Sequence, residues 1–193
     1  MSASGKNEEV MEVTSALAQL FRTSISQDDR LVELRVEVEN IESYLFIQKM
    51  RYKDKLRYSI DIPEALQRLM IPKLILQPIV ENAIYHGVKP MPDGGHVSIA
   101  GRMEDNRLVI TVRDDGVGMT PEQLEKVFLP RKDDSRGIGV LNVHNRIQLV
   151  FGEQYGLRYH SGNKGTRVEI CLPVVEPTEV PAPLQEEAND EKV

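Results

Sequence analysis

Residues 112–120, VRDDGVGMT, set two adjacent carboxylates, Asp114 and Asp115, between an apolar run and a Gly-x-Gly. The preceding NRLVITVRD has the alternation of a strand, so a strand ends here and the chain turns. Gly116 and Gly118 allow a tight turn and the close approach of a ligand to the backbone. Acids at such a point could bind a metal, form an acid/base pair, cap the turn or accept a hydrogen bond from the edge of a base. The flanking segments narrow the choice.

Upstream, HVSIAG pairs with NRLVITVRD as a hairpin across the polar RMEDN, and downstream GLRYHS pairs with TRVEICLP across GNKG. Between the two hairpins, Thr120 is an N-cap with Pro121 at the first helical position and Gln123 completing a capping box; that helix should stop before Pro130. A longer helix is expected over residues 139–151, ending near Gly152. LRYSIDIP alternates Leu56, Tyr58, Ile60 and Ile62 as a half-buried strand. PKLILQPIVENAIYHG fits a helix ending near Gly87, which must either start close to Pro78 or bend there. Irregularly alternating strands and helices with hairpins indicate an α+β sandwich rather than a doubly wound sheet.

The N-terminal part differs. Residues 8–26 carry Val10, Val13, Leu17, Leu20 and Phe21 at helical spacing. Leu31, Leu34, Val38, Ile41 and Leu45 then step by threes and fours, as in a coiled-coil seam. This lead-in could form a helical hairpin, a dimer contact, or a layer packed on its own domain.

At 193 residues and 40% hydrophobic content the chain can bury a real core. The net charge of -6 sits mostly in residues 176–193, where six acids face Lys192 alone; the body keeps 23 basic and 24 acidic residues. A near-neutral body argues against nucleic acid as the partner. The Pro-rich acidic tail has the composition of a disordered segment. Cys171, the single cysteine, falls in an apolar strand and suits a core role in a reducing compartment. No apolar run has the length of a membrane span, and MSASGK lacks a signal-peptide stretch, so the chain as written is expected to be cytosolic, alone or within something larger.

Four short motifs carry chemistry. Asn82 and His86 are four apart on one helical face, with Lys89 beyond the glycine, and an Asn carbonyl suits Mg²⁺ shared with phosphate oxygens. DDGVGM offers the carboxylate and the permissive turn. SRGIGVLNV places Gly137 and Gly139 before a helix whose first amides suit a triphosphate, behind the basic LPRKDD loop. GNKGTRVEI puts Gly165 and Thr166 at the start of the last strand. No Gly-Lys-Ser/Thr run is present, so a Walker-type cradle is not expected. Singly, each motif also fits a capped turn, a solvated helix face or a mobile surface loop.

In order, ENAIYHG, DDGVGM, GIGVLN and KGT resemble the asparagine box, the two glycine boxes and the final box of GHKL ATPases, the superfamily of gyrase, histidine kinases and MutL. The wording of LVELRVEVENIESYLFIQKMRYKDKL, IPKLILQPIVENAIYHG and LNVHNRIQLVFGEQYGL is most similar to LytS-type (YesM-like) sensor histidine kinases, over about residues 8–173. The resemblance implies a Bergerat-type two-layer α/β sandwich, a mixed sheet packed on helices, with an N-terminal helical lead-in. It implies ATP and Mg²⁺ as ligands. Asp114 would accept the adenine amine, Asp115 would be the variable position, and Asn82 would coordinate Mg²⁺ with His86 and Lys89 near the phosphates. Gly116, Gly118, Met119, Arg136, Gly137, Gly139 and Val140 would complete the ATP site, with Thr166 supporting an adenine-binding water network.

Two departures from the family matter. Gyrase-like members carry a glutamate base four residues before the asparagine, where this chain has Pro78, so direct hydrolysis is not expected. Glu81, beside Asn82, is expected to face another side of the helix, without a base role. The acceptor-histidine segment expected just upstream of residue 8 is absent, and His96, His144 and His160 read as loop or surface residues. The implied division is a helical dimerisation or linker segment over 1–52, an ATP-binding domain over 53–175 and the acidic tail. The implied function is transfer of the ATP γ-phosphoryl to a histidine of the parent chain and relay to a response regulator. The intact protein would be a homodimer anchored in a bacterial membrane with this part in the cytoplasm. The alternative is a non-kinase GHKL nucleotide-binding module or an anti-sigma-like kinase.

Overall fold

The structure, a computed structural model, describes residues 31–129 and 138–179. The expected first helix over 8–26, the basic loop beyond Leu129 and the acidic tail from residue 180 on lie outside these residues.

A short strand β1 (Leu31–Glu33) leads into helix α1 (Leu34–Tyr52). The seam of threes and fours was expected to be helical from Leu31. Instead Leu31 pairs with Pro72 of strand β3 (Met70–Pro72), and the helix begins at Leu34, whose amide donates to Leu69 O at 2.8 Å. Leu34, Val38, Ile41 and Leu45 all sit in the same core as the sheet, so this stretch of the lead-in packs on its own domain. Burying each such side chain contributes about 1.5–3 kcal/mol, enough to explain why the seam faces inward.

Strand β2 (Leu56–Asp61) alternates as expected, with Leu56 buried and Arg57, Ser59 and Asp61 exposed. A one-turn helix α2 (Glu64–Gln67), then β3, carries the chain to helix α3 (Gln77–Asn82), in whose first turn Pro78 lies; the helix therefore starts at the proline and is not bent by it. Residues Ala83–Val88 continue α3 as a π turn, in which Lys89 N donates to Ile84 O at 2.8 Å. The helical path so extends one residue past Gly87. Such a π segment often marks a functional site.

Strands β4 (Gly95–Glu104) and β5 (Arg107–Asp114) make the first hairpin. Its turn is tighter than the expected RMEDN linker: Arg102, Met103 and Glu104 remain in register, and only Asp105 and Asn106 turn, with φ of 49° and 59°. Two left-handed residues match the twist of paired strands, and Asp and Asn tolerate that region. The predicted capping box closes helix α4 (Pro121–Glu125): Thr120 N donates to Gln123 Oε1 at 2.9 Å and Gln123 N to Thr120 Oγ1 at 3.3 Å. Helix α5 (Ile138–Phe151) ends at Gly152, as expected. Strands β6 (Gly156–Gly162) and β7 (Gly165–Pro173) form the second hairpin.

The five strands lie in the order β2-β4-β5-β7-β6, with β2 and β4 parallel and every other pair antiparallel. Helices cover one face. The result is the expected α+β two-layer sandwich with a mixed sheet. The three histidines read as loop or surface residues lie in regular elements: His96 in β4, His160 exposed in β6, and His144 half-buried on α5, where it accepts the Leu157 amide at Nδ1.

Candidate nucleotide site

Strand alternation decides what the two adjacent acids do. Leu108, Ile110 and Val112 of β5 point to the core, and Asp114, two residues on, continues that row. It is only 3% exposed. Its Oδ1 accepts from Gly116 N at 3.0 Å and from Thr166 N at 3.3 Å. Burial pushes its carboxyl above the ordinary value of 3.8, against those two amides, with Asp115 adding a smaller push in the same direction as burial. Asp115 is out of phase and exposed. Its Oδ1 accepts the His96 amide at 2.6 Å, which ties it to β4 and away from the cavity.

That cavity, of about 280 Å³, lies between the helices and the sheet. Asn82, Ala83, His86 and Gly87 line it from α3 and its π turn, Val112 and Asp114 from β5, Val140 from α5, Tyr159 from β6, and Thr166 and Val168 from β7. Gly118 and Met119 close the rim. Its walls are apolar and its buried acid is single, as a flat heteroaromatic with one exocyclic donor requires.

The Gly-x-Gly is required by contact. A Cβ on Gly116 would stand 2.2 Å from the Gly87 carbonyl oxygen; one on Gly118, at φ +68°, would stand 1.7 Å from Gly162 O. The turn is thereby pressed between the end of the π turn and the β6–β7 hairpin, and Val117 N donates to Gly87 O at 3.2 Å. Ser161 joins the pieces: its Oγ accepts from Met119 N at 2.9 Å, donates to Gly165 O at 3.2 Å and lies 2.9 Å from Thr166 Oγ1. Sequence reasoning missed Ser161 and Tyr159. Ser161 could have been found from the hairpin register, which sets it directly opposite Thr166.

A second, larger cavity of about 720 Å³ shares Asn82 and His86 with the first and adds Pro78, Glu81, Tyr85, Lys89, Pro90 and Gly139. The Lys89 ammonium stands 5.1 Å from the centre of the Tyr85 ring. Glu81 was expected to face elsewhere; instead it borders this cavity while its Oε1 accepts Gln77 Nε2 at 2.9 Å.

Of the residues singled out in the sequence, Asn82, His86, Asp114, Gly118, Met119, Val140 and Thr166 meet at the first cavity, and Lys89 and Gly139 at the second. Gly116 shapes the turn without lining either. Arg136 and Gly137 lie outside the described residues. Among the described residues no group of three or more His, Cys, Asp or Glu could hold a metal. The Asn82 carboxamide is a neutral oxygen donor between the cavities, which fits Mg²⁺ completed by phosphate oxygens and water rather than an all-protein cage.

Residues 70–176 match the family described as histidine kinase-, DNA gyrase B-, and HSP90-like ATPase, and residues 1–56 match the histidine kinase family. The chain belongs to the first of these ATPase families. It is 34% identical over 174 residues to sensor histidine kinase YesM of Bacillus subtilis, covering 90% of this chain and 29% of that protein. It is 37% identical over 158 residues to sensor histidine kinase YpdA of Escherichia coli, covering 81% and 27%. The chain thus spans under a third of the length of these curated relatives. Among solved structures, the fold matches the histidine kinase domain of the Erythrobacter litoralis EL346 blue-light activated kinase at a TM-score of 0.57 and 18% identity, covering 86% of this chain and 75% of that one. The catalytic domain of histidine kinase ThkA matches at 0.58 and 14%, covering 76% and 99%.

Proposed function

We propose that this chain is the ATP-binding catalytic portion of a two-component sensor histidine kinase. The carrying observation is the pair of cavities joined at Asn82 and His86, with a single buried carboxylate at the closed end. Asp114 accepts the adenine amino group through its second oxygen. Asn82 would hold Mg²⁺, which would neutralise triphosphate charge, and His86 and Lys89 would stand near the phosphates. Gly118, Met119, Gly139 and Val140 complete the walls, and Arg136 and Gly137 belong to the phosphate-side loop. Thr166, supported by Ser161, orders water beside the base.

Bound Mg²⁺ supplies charge neutralisation for phosphoryl transfer. The chain's own residues bind the base, orient the phosphates towards the second cavity and leave room there for an incoming imidazole. The bond from the γ-phosphorus to its bridging oxygen breaks as a nitrogen–phosphorus bond forms. Pro78 borders the cavity at the position of the gyrase-like base and carries no proton acceptor, and the Glu81 carboxylate nearby accepts from Gln77; this favours transfer over hydrolysis. The acceptor is a histidine of the parent chain, and the phosphoryl group passes on to a response regulator. Residues 1–52 serve as the lead-in, 53–175 as the nucleotide-binding unit and 176–193 as an acidic tail. The parent protein is a membrane-anchored homodimer with this portion in the cytoplasm. No helix among the described residues is long and apolar enough to cross a membrane.

Calorimetry with ATP, ADP and GTP, with and without Mg²⁺, tests the reading. Adenine nucleotides should bind, Mg²⁺ should strengthen ATP more than adenosine, and GTP should bind at least about tenfold more weakly, since its six-position presents an acceptor to Asp114. Equal affinity for ATP and GTP would overturn it.

A further inference from the structure

One carboxylate ties the lead-in helix to the nucleotide site. Glu37 of α1 is 1% exposed, and it points at backbone. Its Oε1 accepts from Leu74 N at 2.8 Å, and its Oε2 from Ile75 N at 3.0 Å and Leu76 N at 3.1 Å. Leu74 has φ 58°, a left-handed geometry that is strained for a leucine and turns successive amides towards one point. Arg146 of α5 donates Nη1 to Lys73 O at 2.7 Å. The 73–76 turn is therefore held at once by the lead-in helix and by the helix that contributes Val140 to the base cavity. It runs straight into α3, which with its π turn supplies Ile79, Asn82, Ala83 and His86 to that cavity.

Helix α3 itself has no side-chain cap. The turn before it is instead held by a buried carboxylate from an element 37 to 39 residues away in sequence. We propose that Glu37 is a positioning residue for nucleotide binding: by gripping the 73–76 turn it fixes the seat of α3, and so couples the lead-in helix to the nucleotide cavity. The inference rests on the nucleotide-site reading above. Coupling between two sites is reciprocal. If α1 sets the seat of α3, nucleotide must in turn tighten the grip of Glu37 on the three amides.

The first measurement uses the unaltered chain. Amide hydrogen exchange at Leu74, Ile75 and Leu76 should slow by at least about fivefold on adding ADP with Mg²⁺, the low end of ordinary coupling. The second compares Glu37→Gln with Ile41→Val, a destabilised control buried on the same helix. Gln keeps one carbonyl oxygen, so it presents its amino group to amides that need acceptors. Both variants should melt earlier. Only Glu37→Gln should weaken ATP, by about fivefold or more, at a temperature where all three proteins are fully folded. Glu37→Gln affinity within about twofold of the unaltered chain, or a loss shared by Ile41→Val, would make Glu37 a stabilising contact to the turn and nothing else. Should Glu37→Gln not fold, unchanged exchange at 74–76 on ADP binding overturns the proposal by itself. An unaltered chain that binds no adenine nucleotide overturns the site reading, and the positioning role with it; binding without coupling overturns the positioning role alone.

Discussion

The two ends of the site are built differently. At the closed end, Asp114, Thr166, Ser161 and the Gly116–Gly118 turn are fixed by strand register and by hydrogen bonds of 2.9–3.3 Å before any ligand arrives. At the open end, His86 and Lys89 are exposed on and just beyond a π turn, and residues 130–137 are outside the described residues. The closed end resembles a pre-formed pocket, whose selectivity comes from a hydrogen-bonding group that the wrong ligand leaves unpaired. The open end resembles an electrostatic site completed by its ligand and metal. Base choice and phosphate affinity should therefore separate under mutation.

The largest effect is expected from Asp114→Asn. Both amides that Asp114 receives go to Oδ1, so an asparagine oxygen can keep them while its amino group replaces the other oxygen and meets the adenine amine donor to donor. The loss should be about 1–3 kcal/mol, roughly tenfold to a hundredfold, and should be the same for ATP, ADP and adenosine. The raised carboxyl of Asp114 marks a charge that burial disfavours. A group raised in the folded state contributes stability below its unfolded value and loses it as pH rises through its folded value. At neutral pH the unliganded variant should thus melt no lower than the native chain. A lower melting temperature with unchanged affinity would reverse the assignment. Asn82→Ala should act at the other end. ATP in the presence of Mg²⁺ should weaken about tenfold, while adenosine is unaffected and added Mg²⁺ no longer strengthens ATP. Equal loss for adenosine and ATP would break the two-ended description.

A smaller effect concerns what supports the closed end from beneath. Phe128 packs at a tilt on His144, 4.6 Å between ring centres, and meets Tyr159, a wall of the first cavity, edge-on at 5.7 Å. His144 accepts the Leu157 amide at Nδ1, which requires that nitrogen unprotonated, and burial holds its pKa below the ordinary 6.5. A depressed histidine contributes stability above its unfolded value and loses it as pH falls through the folded one. The melting temperature should fall as pH drops below about 6.5, and His144→Gln should flatten that slope. An identical slope in the variant would remove His144 from the support.

What the sequence made legible follows from how local each signal is. The Thr120–Gln123 capping box, the Gly152 stop and both hairpins depend on neighbours within a few residues, and all are present. Asp114 was singled out over Asp115 only by the family resemblance; the structure adds that the core-facing row of β5 runs to it. Leu31 fitted the helical seam by spacing alone, but its pairing with Pro72 depends on a strand some forty residues on. Glu37 carried no signal, because its three partners are created by a left-handed Leu74 that no local pattern announces. The π turn was hidden for the opposite reason. It keeps Asn82 and His86 on one cavity wall as an α-helix would, so spacing could not tell the two apart.

The smallest effect is expected from Asp115→Asn, and it is the sharpest test of the comparison because the two acids are adjacent. Asp115 lines neither cavity; its Oδ1 holds the His96 amide at 2.6 Å on the exposed side of the sheet. An asparagine oxygen can accept that amide equally well in geometry, so only the charge assistance is lost. A hydrogen bond to a charged group contributes about 1.5–3 kcal/mol against roughly 0.5–1.5 for a neutral pair, and exposure to solvent shrinks that difference. A slightly lower melting temperature should follow. Removing the Asp115 charge also removes a minor push on the Asp114 carboxyl, which leaves that carboxyl, if anything, more readily ionised. Nucleotide affinity should therefore stay within about twofold of the native chain. Calorimetry on both variants under one condition decides the matter. Equal losses would mean that the strand alternation which separates the two carboxylates does not determine which of them meets the base.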